Sequence, residues 1–124
     1  MSDFRDLLVL KSKSDHSFGL EPTRLFCQVN IGDYQASIQA SAFHYCQPRN
    51  TLEDIYGYES MEMALFKDNS WINPIEDERF MDFKRLNELE DFWENGDVSV
   101  GSFIPIDLIQ DLCNYIEKIK GGDE

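Results

Sequence analysis

The chain has 124 residues, of which 42% are hydrophobic and 13% aromatic, and its formal net charge is −13. This length is enough for one domain with its own hydrophobic core and too short for two ordinary domains. The apolar content excludes wholesale disorder despite the charge. A surface this negative repels phosphate backbones and anionic lipids, so direct binding of nucleic acid or membranes is not expected. It would instead attract a basic protein surface.

The N-terminal segment predicts a cytoplasmic protein. Acidic residues stand where a signal peptide would be basic, and no run of 18 apolar residues follows anywhere in the chain. Residues 7–10 fit either a strand or the end of a short helix. Cys27, Cys46 and Cys113 have no paired spacing, which argues against a disulfide framework and against a zinc ribbon. Reduced cysteines are the expected state.

Residues 25–40 give the clearest local signal, a β-hairpin. Two runs of alternating apolar and polar residues flank Gly32-Asp33, where glycine supplies the positive φ that a two-residue turn needs. We expect the apolar face to be buried, and the polar face to meet water or a partner. The apolar positions of this prediction are Leu25, Cys27, Val29, Ile31, Tyr34, Ala36, Ile38 and Ala40.

A long connection follows over residues 41–57, with a helical turn expected near 51–55. Residues 58–66 are predicted to form a strand that points Met61, Met63 and Leu65 inward, although their composition would also allow a short helix. A turn at 67–70 then leads into a pairing strand that begins at Trp71.

Residues 76–95 are predicted to form one long amphipathic helix. Apolar residues recur there every three or four positions, acids cluster at the start, and Asn95-Gly96 suits the end. Val98 and Val100 indicate a short strand, after which Pro105 suits the first position of a C-terminal helix. The apolar stripe of that helix comprises Ile106, Ile109, Leu112, Cys113, Ile116 and Ile119.

These elements together predict a single α+β domain over residues 1–124. An antiparallel β-sheet, with the hairpin at 25–40, would pack against two helices in the C-terminal half.

Most of the charge lies in the middle of the chain. Residues 1–50 carry five acids and five bases, whereas residues 51–100 carry fourteen acids and four bases. Such asymmetry indicates either a generally acidic surface or a face that binds a basic partner. The candidate partner-binding residues are Glu53, Asp54, Glu59, Glu62, Asp68, Trp71, Asp82, Glu88, Glu90, Asp91 and Glu94. Core packing is the favoured interpretation of Trp71 and of Tyr34 at the hairpin tip, and the alternative is an apolar anchor among these acids.

Motifs for catalysis or metal binding are missing from the sequence. It has no Gly-rich phosphate loop, no Gly-x-Ser-x-Gly elbow and no His-Glu-x-x-His pair, and its two histidines are His16 and His44. Cys46 lies two residues after His44, which is compatible with a nucleophile and its base. Packing of a buried cysteine is the favoured interpretation. We therefore expect a protein that is not an enzyme and that uses no cofactor or metal.

Several short motifs resemble those of small uncharacterised proteins of phages and prophages. They are His44-Tyr45-Cys46-Gln47-Pro48-Arg49, Tyr58 with Met61-Glu62-Met63-Ala64, Trp71, and Gly101-Ser102-Phe103-Ile104-Pro105-Ile106. This resemblance implies a mobile-element origin. In size and charge the chain also resembles acidic anti-defence proteins of phages, of the anti-CRISPR or DNA-mimic type, many of which are protein inhibitors.

The leading hypothesis is a non-enzymatic inhibitor that binds a basic, nucleic-acid-handling protein and occupies the surface that normally takes nucleic acid. One alternative is an immunity protein that neutralises a secreted nuclease toxin, as in contact-dependent inhibition. Another is an acidic secretion chaperone, which would be a dimer with an apolar groove. The sequence leaves open whether the protein is a monomer or a dimer.

Overall fold

A computed structural model describes residues 2–14, 23–42, 44–96 and 99–119. It has the predicted α+β architecture, with antiparallel strands and two helices in the C-terminal half. A two-stranded sheet contains β1 (Leu10–Ser14) and β2 (Thr23–Phe26). The main sheet contains β3 (Val29–Ile31), β4 (Tyr34–Gln39), β5 (Ser60–Lys67), β6 (Ser70–Ile72) and β7 (Gly101–Pro105). The helices are α1 (Leu86–Glu90) and α2 (Ile106–Ile119).

Strand β5 lies at the centre of the main sheet. Strand β4 pairs along one side of β5 and β3 pairs with the outer edge of β4, while β6 and β7 pair with successive halves of the other side of β5. The predicted hairpin turn at Gly32-Asp33 and the predicted strand over 58–66 are therefore confirmed, and the helical alternative for 58–66 is wrong. The predicted turn before Trp71 is also confirmed, since Asp68 and Asn69 both have positive φ between β5 and β6.

One face of the main sheet packs against α2 and forms the core. Met61, Met63 and Leu65 of β5 are fully buried, as period-two alternation requires. The apolar stripe of α2 lies in the same cluster, and each buried aliphatic side chain there contributes about 1.5–3 kcal/mol. Tyr34 is fully buried and its ring meets that of Phe80 edge to face, with 5.8 Å between centroids, so the core interpretation is confirmed and the anchor alternative is wrong.

The first run of the predicted hairpin is interrupted. Phe26 is buried and Leu25 is 43% exposed, which reverses the predicted alternation before β3. The reason is a polar contact with β4: the side-chain amide of Gln39 accepts from the backbone N–H of Phe26 at 2.8 Å and donates to its carbonyl at 3.0 Å. Strand β2 consequently pairs with β1, and only residues from Val29 onward continue into the main sheet.

Both structures considered for residues 7–10, a strand and the end of a short helix, are present in part. A 3-10 turn over Phe4–Leu7 is followed by β1, which starts at Leu10. The helical turn expected near 51–55 lies slightly later, over Ile55–Gly57.

The single helix predicted over 76–95 is wrong. A 3-10 turn at Glu78–Phe80 and the short helix α1 replace it, with irregular turns between them. Backbone N–H groups in this segment bond to the carbonyl three residues earlier: Phe83 bonds to Phe80 at 3.0 Å and Leu86 to Phe83 at 3.1 Å. This is the tighter 3-10 pattern and not the α-helical one.

Local chemistry explains why a long helix does not form. The carboxylate of Asp77 accepts from the backbone N–H of Arg79 at 2.9 Å and binds its guanidinium at 2.6 Å, which holds a tight turn. The segment is also rich in aspartate and aromatic residues, which have low helix propensity. Spacings of three to four still bring the apolar side chains to one side of successive turns. The buried ones are Phe80, Phe83, Leu89 and Trp93.

The strand expected around Val98 and Val100 lies later, as β7. Val98 is outside the described residues, and Val100 precedes the strand. Pro105 ends β7 and α2 begins at the next residue, a shift of one position from the prediction. Ile109, Leu112, Cys113 and Ile116 of the predicted stripe are buried, together with Leu108, which the stripe did not include.

A buried arginine holds the long connection between β4 and β5. The guanidinium of Arg24 donates to the carbonyls of Leu52 at 2.6 Å and Ala40 at 2.7 Å, and to the Tyr58 hydroxyl at 3.0 Å. That hydroxyl also accepts from the backbone N–H of Leu52 at 2.8 Å and donates to the Asn50 carbonyl. Because buried polar groups must be paired, these bonds fix the path of an otherwise irregular segment.

We expect Tyr58→Phe to lower the free energy of unfolding by about 1–3 kcal/mol, because it leaves the N–H of Leu52 and a guanidinium N–H of Arg24 without their acceptor. Urea unfolding at neutral pH measures this change. The matched control is Tyr56→Phe, in which an exposed hydroxyl is removed and the change should stay within about 0.5 kcal/mol. Equal effects of the two variants would contradict the role given to Tyr58.

We expect Gly101→Ala to lower the free energy of unfolding by about 1–3 kcal/mol through overpacking. A Cβ at this position would lie 2.4 Å from Cδ1 of Ile104 and 2.5 Å from Cε3 of Trp93. Gly57→Ala is the control, because its Cβ would meet only the flexible end of Leu52, at 3.2 Å. Urea unfolding of both variants tests the expectation, and a Gly101→Ala protein as stable as the native chain would contradict it.

Candidate functional site

The face of the main sheet that lies opposite the core carries a mixture of polar and apolar side chains. They come from the alternate positions of β4 and β5, as the predicted polar face required. The cross-strand pairs on this face are Gln35 with Phe66, Ser37 with Ala64, and Gln39 with Glu62. Gln39 also donates to the Ser37 hydroxyl at 3.0 Å, so the polar groups of β4 are held in place.

A depression on this face has a volume of about 270 Å³, and we call it the outer groove. The volume lies below the roughly 300–1,000 Å³ of typical small-molecule sites, so it suits one side chain better than a whole cofactor. The residues that line it include Leu25, Ser37, His44, Glu62, Phe66 and Trp71.

Glu62 is the acidic group of the outer groove. Burial and the nearby carboxylate of Glu94 raise its pKa above the ordinary value, while the backbone N–H of Tyr45 and the charge of Arg49 act to lower it. Arg49 itself lies over the ring of Tyr45, with its guanidinium carbon 5.1 Å from the ring centroid. The carboxylate of Glu62 is therefore only partly compensated within the protein, and a further positive charge would stabilise it.

An aromatic pair forms the opposite part of the groove. Phe66 and Trp71 face each other across β5 and β6, with ring centroids 4.7 Å apart and planes tilted by 54°. Trp71 is 39% exposed, whereas Trp93 is buried and its indole N–H donates to the Ser99 hydroxyl at 3.0 Å. The two tryptophans thus occupy contrasting environments, and Trp71 is the one available to a partner.

His44 and Cys46 have separate local contacts. The Nδ1 atom of His44 lies 2.6 Å from the buried hydroxyl of Ser41, and burial together with two nearby arginines lowers the pKa of the imidazole. The Cys46 thiol is buried and donates to the carbonyls of Ser41 at 3.3 Å and Pro48 at 3.4 Å. Burial raises the pKa of this thiol, the opposite of what activates a nucleophilic cysteine. These contacts support the packing interpretation of Cys46.

The predicted acidic residues do not share one helical face, because the helix meant to carry them is absent. Glu62 and Trp71 line the outer groove, and Glu94 lies close enough to Glu62 to raise its pKa. The others are exposed elsewhere on the surface: Glu53, Asp54, Glu59, Asp68, Asp82, Glu88, Glu90 and Asp91. Among these, Asp54 caps the turn at Ile55–Gly57, and Asp68 pairs with Lys67 at 3.2 Å.

Glu88 belongs to an ion-pair cluster that joins α1 to α2. The guanidinium of Arg85 binds Glu88 at 2.7 Å, Asp111 at 2.8 Å and Asp107 at 3.0 Å. These carboxylates raise the pKa of Arg85 above its already high value, and Arg85 lowers the pKa of Glu88. The cluster was not foreseen, because the sequence separation between α1 and α2 conceals their contact.

Sequence reasoning also missed that Leu25, His44 and Phe66 line the same groove as Glu62. The face on which Phe66 lies could have been predicted from the alternation of β5, because Phe66 comes four residues after Glu62 and therefore lies on the same face. Nothing local indicates that Leu25 and His44 approach that face, since they come from β2 and from the irregular connection.

Comparison with known proteins finds no matching family model, no similar curated protein and no similar solved structure. In the described ranges, no helix is long and apolar enough to cross a membrane. The same ranges contain no group of three or more His, Cys, Asp or Glu side chains placed to hold a metal ion.

We expect Glu62→Gln to increase stability at neutral pH. Because the pKa of Glu62 is raised in the folded protein, the stability that its neutral form provides is lost as the pH rises through that pKa. The gain from the glutamine variant should therefore vanish as the pH falls below about 4.3, the ordinary carboxyl value. Urea unfolding across the acidic to neutral range measures it. Glu90→Gln removes an exposed charge and controls for net charge; a similar pH profile for both variants would contradict the assignment.

Proposed function

We propose that this protein is a non-enzymatic inhibitor that binds a basic, nucleic-acid-handling protein, as an anti-defence protein of the anti-CRISPR or DNA-mimic type would. Its carboxylates would occupy the surface that normally takes nucleic acid. The observation that carries the proposal is the imbalance of surface charge, because most described arginines serve internal contacts while many carboxylates are exposed.

Four of the described arginines have partners within the protein. Arg24 is buried against backbone carbonyls, and Arg85 is bound by three carboxylates of α1 and α2. Arg5 pairs with Asp3 at 2.8 Å and Arg79 with Asp77 at 2.6 Å, each within a tight turn. Each of these arginines is engaged within the protein, and Arg85 offsets three exposed carboxylates. Acids still outnumber bases by 24 to 11 in the chain, so an excess of negative charge remains after these pairs are formed.

Such a surface would act mainly on the rate of association. Clustered negative charge steers a basic partner into contact at a rate that depends on ionic strength, and individual exposed pairs add little to affinity. Repulsion of phosphate by the same charge would keep nucleic acid itself off this protein.

The test starts with co-purification from the native cell and identification of the bound protein, followed by calorimetric titration of that purified partner. We expect the partner to be basic, and its affinity to fall at least about tenfold between low and moderate salt. Duplex DNA should compete with the inhibitor for the partner. Salt-insensitive binding, or an acidic partner, would contradict the proposal.

Two variants test how the exposed charge affects the rate of association with the partner. The double variant Glu90→Gln/Asp91→Asn should slow association by several-fold, because it removes two exposed carboxylates. Lys84→Gln changes an exposed residue of the same segment in the opposite sense and should leave association unchanged or faster. If the captured partner is a secreted nuclease toxin, the protein is an immunity protein acting by the same electrostatics.

A further inference from the structure

We propose that the outer groove receives one arginine side chain of the protein partner, with Glu62 binding the guanidinium and Trp71 stacking on it. This proposal rests on the proposed function, since it names the contact that anchors the basic partner. It assigns that contact to the sheet face, away from most of the exposed acids.

The charge of the groove favours a cation. Glu62 lines the depression and is half-buried, and the negative charge of the exposed Glu94 nearby opposes its ionisation. Arg49 is an exposed residue whose positive charge acts on Glu62, and its guanidinium carbon lies over the ring of Tyr45. His44 lines the groove, but burial lowers the pKa of its imidazole and favours the neutral form. A guanidinium from a partner would offset the repulsion between the carboxylates of Glu62 and Glu94.

The aromatic part of the groove favours arginine in particular. The ring of Trp71 is supported on one side by Phe66, at 4.7 Å between centroids, and is exposed enough to be stacked upon. A guanidinium is planar, stacks on aromatic faces and binds a carboxylate through two N–H groups, whereas the lysine ammonium is a strongly hydrated point charge.

The remaining lining residues suit the aliphatic stem of such a side chain. Leu25 and Ala64 border the same depression, and its volume of about 270 Å³ accommodates a side chain without room for a larger ligand. A wider depression near Asp3 and Asp107 is less suitable, because those carboxylates already bind Arg5 and Arg85.

The two tryptophans make the proposal testable on the intact protein by NMR. The probe is a blocked Gly-Arg-Gly-Arg-Gly peptide, and the reference is the same peptide with citrulline, which keeps the shape but lacks the charge. We expect the arginine peptide to shift the indole N–H signal of Trp71 in a saturable way, while the signal of Trp93 stays in place because that indole is buried and bonded to Ser99. The lysine counterpart should bind more weakly.

Two matched variants test whether Glu62 is the carboxylate that binds the arginine side chain. Glu62→Gln should weaken binding of the arginine peptide about tenfold, because a charge-assisted hydrogen bond in a half-buried site is lost. Glu90→Gln removes the same charge from an exposed position and should weaken binding by about twofold or less. Both variants keep the side-chain shape, so a folded protein is expected in each case.

The outcomes separate this proposal from the proposed function. If the arginine peptide binds in a salt-dependent way but Glu62→Gln and Glu90→Gln weaken it equally, or Trp71 does not respond, the groove is not the anchor and the general electrostatic proposal stands. If the peptide does not bind while the native basic partner does, the arginine site is again overturned. If neither binds, both proposals fail.

Discussion

Strand β5, at the centre of the main sheet, determines where the core and the outer groove lie. It hydrogen-bonds to β4 on one side and to β6 and β7 on the other, so its backbone is satisfied within the sheet. Its side chains must then alternate between two environments. Met61, Met63 and Leu65 fill the core against α2, and Glu62 and Phe66 are left on the other face. The alternation of β5 side chains therefore contributes to the core on one face of the sheet and to the outer groove on the other.

Polar contacts position the less regular parts around that strand. The buried guanidinium of Arg24 ties the connection between β4 and β5 to β2, and the side-chain amide of Gln39 holds the backbone of Phe26. These contacts bring Leu25 and His44 to the groove, although neither belongs to the main sheet. Removing such a contact costs more than its net strength, because a buried polar group is left unpaired.

Charge acts in two different ways in this protein. Arginines paired within tight turns or between helices, such as Arg79 and Arg85, stabilise local structure. Under the proposed function, exposed carboxylates would add long-range attraction for a basic partner and little specificity. Glu62 differs from both groups, because it is half-buried near Glu94 and lines the same groove as the exposed ring of Trp71. A site of that kind can add specificity that a general negative surface lacks.

The elements whose side-chain period is set locally could be predicted from the sequence: the turn at Gly32-Asp33, the alternation of β5 and the apolar stripe of α2. The apolar spacing over 76–95 correctly indicates side chains that share one side, and Phe80, Phe83 and Leu89 are buried there. A spacing of three to four fits 3-10 turns as well as an α-helix, however, so the predicted helix is wrong. The presence of Glu62, Trp71 and His44 in the lining of one groove is a property of the tertiary structure. That arrangement depends on long-range pairing and on buried hydrogen bonds between distant segments, which no local pattern encodes.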